Sequence, residues 1–155
     1  MKAAFAVNTE KNMETLLVSA CLLGTPCRYD GKSKPEAKIE ALLEKYRIIP
    51  VCPEVLGGLP TPRVPAERIG DKVIAKDGKD VTANYFRGAL EAFRIATKNG
   101  CKKALLKKNS PSCSNKMVYD GSFSGTLIEG MGVAAEFLVA RGIEVFSEDE
   151  IDKLL

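Results

Sequence analysis

The sequence contains no histidine. That absence excludes a Ser-His-Asp triad, a Cys-His nucleophile and any zinc site built on imidazole. No two cysteines stand in C-x-x-C spacing, which removes zinc ribbons and thioredoxin-type motifs. Apolar runs fall well short of the roughly 18 residues that suggest a membrane span, so no membrane association is expected. The opening MKAAFAVNTEKN lacks the apolar region of a secretory signal. Residues 1–12 read as an N-terminal extension and 13–155 as one α/β domain. Basic residues are spread along the chain and the net charge is +3, which calls for no nucleic-acid partner.

What the chain does have is thiols. Five cysteines are an odd number, and without a secretion signal a disulfide framework is a poor explanation. The expectation is a reducing cytoplasm, where exposed thiols serve as metal ligands or nucleophiles. Core filler is the plain alternative for each cysteine.

Hydrophobic periodicity yields a single domain with a mainly parallel central sheet flanked by helices, Rossmann-like, with a small β-hairpin insertion. ETLLVSAC (14–21) reads as a strand. EAKIEALLEKY, opened by Pro35 and Glu36, reads as an amphipathic helix, and RIIPVC as a second strand, which makes a βαβ unit. Residues 53–71, with four prolines, form a long loop of the kind that carries function. Asp77-Gly78 predicts a hairpin turn, and Thr82 a cap for a helix with Phe86, Ala89, Leu90, Phe93 and Ala96 on its apolar face. KKALLKK is a third strand, 108–128 a loop, 130–141 a helix and IEVFS a fourth strand. Ser147 caps a C-terminal helix.

Cys21, Cys52 and Cys113 each sit at a strand-to-loop junction. In an open parallel sheet, ligands collect outside the carboxyl ends of the strands, so three thiols delivered there converge on one site. Such a set suits a metal centre with three thiolates and one open position, and zinc and iron–sulfur chemistry both fit. Cys27 lies in range through Gly24-Thr25-Pro26, whereas Cys101 begins a strand and reads as core. Candidate acids and donors surround the thiols. Glu54 reads equally as a general acid/base or a loop anchor, and Ser110 and Ser112 flank Pro111. Arg28 and Asp30 read as a substrate-binding pair or an Asx-turn ion pair. Gly57-Gly58 suits close approach to a ligand, and Gly130-Met131-Gly132 opens a helix whose N-terminus suits an anion.

SACLLG…CRYDG, VCPEVLGGLPTPR, GKDVT, KKNSPSC and YDGSFSGT, in this order, resemble the thiouracil desulfidase (TudS-type) family. That family was long known only as a domain of unknown function. The resemblance runs from about Met13 to the C-terminus. It implies a [4Fe-4S] cluster held by Cys21, Cys52 and Cys113 with one iron open, and catalytic roles for Glu54 and Ser110. Arg28, Asp30 and Ser112 are weaker candidates for substrate contact. The implied reaction removes sulfur as sulfide from a thiopyrimidine without net redox change, with Glu54 activating water and Ser110 positioning substrate or relaying a proton. One departure is Ser114, where the family usually has glycine. Some relatives carry a second domain and act on thiolated tRNA; with none seen here, a small-molecule substrate is favoured. A non-catalytic three-cysteine metal module, structural or sensory, is the alternative.

Overall fold

The computed structural model describes residues 13–32 and 36–155. The expected N-terminal extension and the expected helix start at Pro35 lie outside these. Strand β1 (Glu14–Ser19) is buried on both faces at Leu16, Leu17 and Val18, as a central parallel strand requires. It pairs in parallel with β2 (Tyr46–Val51) on one side and β5 (Lys103–Leu106) on the other. β8 (Glu144–Ser147) pairs in parallel with β5, giving a four-stranded sheet of order β2-β1-β5-β8.

Alternation along the strands divides the core into two layers. Leu16, Val18, Ile48 and Leu105 pack on one face against Leu42 of helix α1 (Ile39–Lys45) and against Ile151 and Leu154. Leu17, Ala104 and Leu106 pack on the other, against Ala96 of α3 (Thr82–Lys98) and Ala135 and Leu138 of α4 (Val133–Ala140). Two antiparallel hairpins stand outside this sheet: β3 (Ala66–Ile69) with β4 (Lys72–Ala75), and β6 (Met117–Tyr119) with β7 (Leu127–Glu129).

Several local expectations are corrected. The two-stranded hairpin turns at Gly70-Asp71, one strand earlier than Asp77-Gly78, which makes a second tight turn with the Ala75 amide on the Lys79 carbonyl at 2.8 Å and an antiparallel bridge from Ile74 to Asp80. Thr82 is the first residue of α3 rather than its cap. Its hydroxyl accepts from the Val73 amide at 2.9 Å, and its own amide donates to Asp80 Oδ1 at 2.9 Å. The buried face of α3 is Tyr85, Gly88, Ala89, Ala92 and Ala96, leaving Phe86 and Leu90 exposed. Small residues win that face because α3 meets the short helix α2 (Pro53–Leu56) backbone to backbone. A Cβ on Gly57 would overlap the Asn84 carbonyl, and one on Gly88 the Pro53 carbonyl. Gly57 therefore serves this helix contact, and Pro53-Glu54 is held where it stands. Residues 117–119 and 127–129 are strands inside the expected loop. The C-terminal segment is a 3-10 helix (Glu148–Lys153) closed by a Ser147/Glu150 capping box.

Candidate metal centre and active site

β2, β1 and β5 are neighbours, and the chain steps from β1 to β2 on one side before returning past β1 to β5 on the other. Such a switch in strand order opens a crevice at the carboxyl edge. A cavity of about 580 Å³ lies there, within the range of small-molecule sites. Cys21 enters it from the turn after β1, Cys52 from the residue after β2, and Cys113 from the loop after β5. Cys27 lines it too. Cys101 does not; it precedes β5 at the opposite end, and burial pushes its thiol up to about 11.

All five cysteines are free thiols. Cys27 stands beside both Cys21 and Cys52. The Cys52 thiol also points at the Cys27 carbonyl at 3.7 Å. The Cys52 thiol is raised by the neighbouring Cys27 thiol and by burial, and that of Cys27 chiefly by the neighbouring Cys21. Burial pushes Cys113 up to about 12, moderated by the hydroxyls of Ser19 and Ser110 beside it. Thiols so placed are stabilised as thiolates only when positive charge, such as a metal, replaces their protons. The donor set is soft, which selects thiolate-bound zinc, copper(I) or iron–sulfur centres. Among the described residues, no three His, Cys, Asp or Glu side chains gather around a point suited to one ion. A set of thiols with no histidine is also the donor set that iron–sulfur clusters take. The residues present therefore fit an iron–sulfur cluster.

The loop carrying Cys113 is fastened from both sides. Ser110 Oγ accepts from the amides of Ser112 and Cys113, both at 3.0 Å, which leaves its own proton free. From below, the amides of Val133 and Ala134 donate to the Pro111 and Ser112 carbonyls at 2.8 Å each. Gly132 is obligatory there, because a Cβ would overlap the Ser112 carbonyl. The N-terminal amides of α4 thus hold the cysteine loop and are not free for an anion, which corrects that expectation. Ser114, the departure from the family pattern, is buried, and its hydroxyl closes the following turn on the Met117 carbonyl.

Glu54, in the first turn of α2, faces the same cavity. Arg63 Nε donates to its Oε1 at 2.8 Å, in a pair that is 7% and 14% exposed. The rest of the Arg63 fork donates to the carbonyls of Pro60 and Cys27 and to Thr61 Oγ1, each at 3.0 Å. Burial alone would lower the Arg63 guanidinium, but the Glu54 carboxylate outweighs it and raises it. Tyr85, 2% exposed, lines the same cavity; burial and the Glu54 carboxylate together raise its phenol.

The other sequence candidates separate. Arg28 lines the cavity, stacked beside Tyr29. Asp30 does not; its Oδ1 accepts from the Lys32 amide at 3.0 Å as an Asx turn, with a loose 3.9 Å contact to Arg28. Ser112 is fully buried outside the cavity lining, and its hydroxyl has no partner. Sequence reasoning missed Ser19, Arg63, Tyr85 and Glu67, all in the cavity wall.

The family model for 2-thiouracil desulfurase matches residues 16–150. The chain belongs to this family. A solved structure described as the [4Fe-4S]-dependent thiouracil desulfidase TudS superposes with a TM-score of 0.87 at 48% identity, covering 91% of this chain and 95% of that one. The uncharacterized protein YbbK of Bacillus subtilis (strain 168) is 40% identical over 150 residues, covering 90% of this chain and 99% of its own. The desulfurase-family assignment and the TudS fold agree with the central parallel sheet and its two hairpins.

Proposed function

We propose that this protein is an iron–sulfur-dependent desulfidase that removes sulfur as sulfide from a thiouracil-type pyrimidine by hydrolysis. The carrying observation is that thiols from the carboxyl ends of three adjacent parallel strands share one cavity with the Glu54 carboxylate. Cys21, Cys52 and Cys113 would hold a [4Fe-4S] cluster, leaving one iron without a protein ligand. When bound, that cluster supplies a Lewis acid for the thiocarbonyl sulfur. Everything else is done by side chains. Glu54, its Oε1 fixed by Arg63, takes the proton of the attacking water. Arg63 keeps that carboxylate in one orientation, which supplies the positioning part of the rate. Ser110, with both backbone donors on its oxygen, directs its proton toward the cavity and Cys113, where negative charge develops.

A structural or sensory metal module is disfavoured, since neither role calls for an oriented carboxylate beside an open cavity. The cavity suits a free thiopyrimidine, with thiolated tRNA the less favoured partner. A reducing, cytoplasmic setting keeps all five cysteines as thiols. Among the described residues no helix is long and apolar enough to cross a membrane.

The test is anaerobic reconstitution with iron and sulfide. The reading expects a brown protein with about four irons per chain that releases sulfide from 2-thiouracil. A colourless zinc protein, or turnover without metal, would overturn it.

A further inference from the structure

The cavity contains a second acid whose role differs from that of Glu54. Glu67, on β3, is 8% exposed and lines the cavity. Its Oε1 accepts from the amides of Gly121 and Phe123 at 2.8 and 3.1 Å. That bond holds the 120–123 loop so that Phe123, with φ of 56°, also lines the cavity. Among the described residues no Lys or Arg pairs with Glu67. Among the described residues its Oε2 makes no hydrogen bond, and it is not one of the fully enclosed atoms without partners, which are Ser112 Oγ and Asn115 Oδ1. The opening left to Oε2 is the cavity.

An acceptor that opens into the cavity calls for a donor from the ligand, because a ligand that covers it without one leaves a buried acceptor unmatched. A flat thiopyrimidine offers oxygen, sulfur and ring N–H, and of these only N–H donates. We propose that Glu67 is the specificity-determining acceptor for a ring N–H of the substrate, with Phe123 placed against the ring. The substrate class is then an N–H-bearing cyclic thiourea or thioamide. The identity of the heterocycle rests on the desulfidase reading; the acceptor role does not.

Glu67→Gln tests this cleanly. Glutamine keeps a carbonyl oxygen for both loop amides and puts an NH₂ donor where Oε2 was. Cluster-loaded wild type and variant are titrated with 2-thiouracil and its N1- and N3-methyl derivatives, following ligand absorbance, and sulfide release is measured per iron. The wild type should reject at least one methyl derivative by about 10- to 100-fold, the range of a hydrogen bond to a charged group. The variant should lose that preference and raise KM for 2-thiouracil, with kcat per iron and thermal midpoint near wild type. Indifference of the wild type to both methyl groups would overturn the proposal, and needs no variant. So would equal weakening of all three ligands in Glu67→Gln, which would assign Glu67 to the loop alone. The two readings fail separately. N–H discrimination without sulfide release sinks the desulfidase assignment, and sulfide release without discrimination sinks the Glu67 assignment.

Discussion

Arg63 ties Glu54 to the thiols: Nε donates to the Glu54 carboxylate at 2.8 Å and Nη2 to the Cys27 carbonyl at 3.0 Å. One guanidinium thereby fixes the acid relative to the loop that carries the cysteines. Lysine cannot span these acceptors, because its ammonium is a point charge without the planar fork.

Arg63→Lys should therefore bind iron near wild-type level while kcat per iron falls by about 10²-fold, the scale of a small misplacement at a reacting centre. Arg63→Met leaves a buried carboxylate without its partner and should lower stability by about 3 kcal/mol. Iron analysis, sulfide release and urea unfolding separate the two effects. Full activity per iron in Arg63→Lys would remove Arg63 from the positioning role.

Cys27 stands beside both Cys21 and Cys52 in the cavity wall, so it is the natural rival for a cluster ligand. We expect Cys27→Ala to keep its iron after reconstitution, and Cys21→Ala, Cys52→Ala and Cys113→Ala each to lose it. Equal iron loss in Cys27→Ala would mean four thiolates and a closed, electron-transfer type of cluster.

Glu54→Gln preserves shape but cannot accept a proton. Colour and iron should be retained while sulfide release per iron drops by about 10²- to 10⁴-fold, as loss of a general base entails. Unchanged activity per iron, with a lowered thermal midpoint, would make Glu54 a loop anchor.

A pH prediction comes from Glu150, away from the site. Burial would raise its carboxyl, but hydrogen bonds from Asn115, the Ser147 amide, Lys153 and Lys116 hold it down at about 2. Its folded value lies below the ordinary carboxylate range, so its stabilisation is present in full above about pH 4.5 and is lost as pH falls toward 2. In thermal melts, wild type should lose midpoint from pH 5 to pH 3 more steeply than Glu150→Gln. Parallel slopes would contradict this.

Much of the site was legible because the sequence patterns involved are local. Strand ends at Ser19, Val51 and Leu106 are marked by apolar runs giving way to glycine, proline and serine, with Cys21 and Cys52 within two residues of theirs and Cys113 in the loop beyond. The Ser147/Glu150 capping box is likewise local. Arg63 and Tyr85 were not legible, because an arginine in a proline-rich loop and a tyrosine on a helix look like surface and core until long-range packing brings them to Glu54. The face of α3 was misread for a related reason. Phe86 and Leu90 carry the hydrophobicity, but only small residues permit the contact at Gly57 and Gly88. Strand β7 gave no alternation to read, since Leu127, Ile128 and Glu129 are all exposed.

The central claim is that cluster, water and Glu54 remove sulfur without a change of oxidation state. Its most direct test is a mass balance on anaerobically reconstituted protein turning over 2-thiouracil with no reductant or oxidant added. The account predicts sulfide and uracil in equal amounts, well beyond one equivalent per cluster. Elemental sulfur or persulfide in place of sulfide, or turnover only when a reductant is supplied, would contradict it.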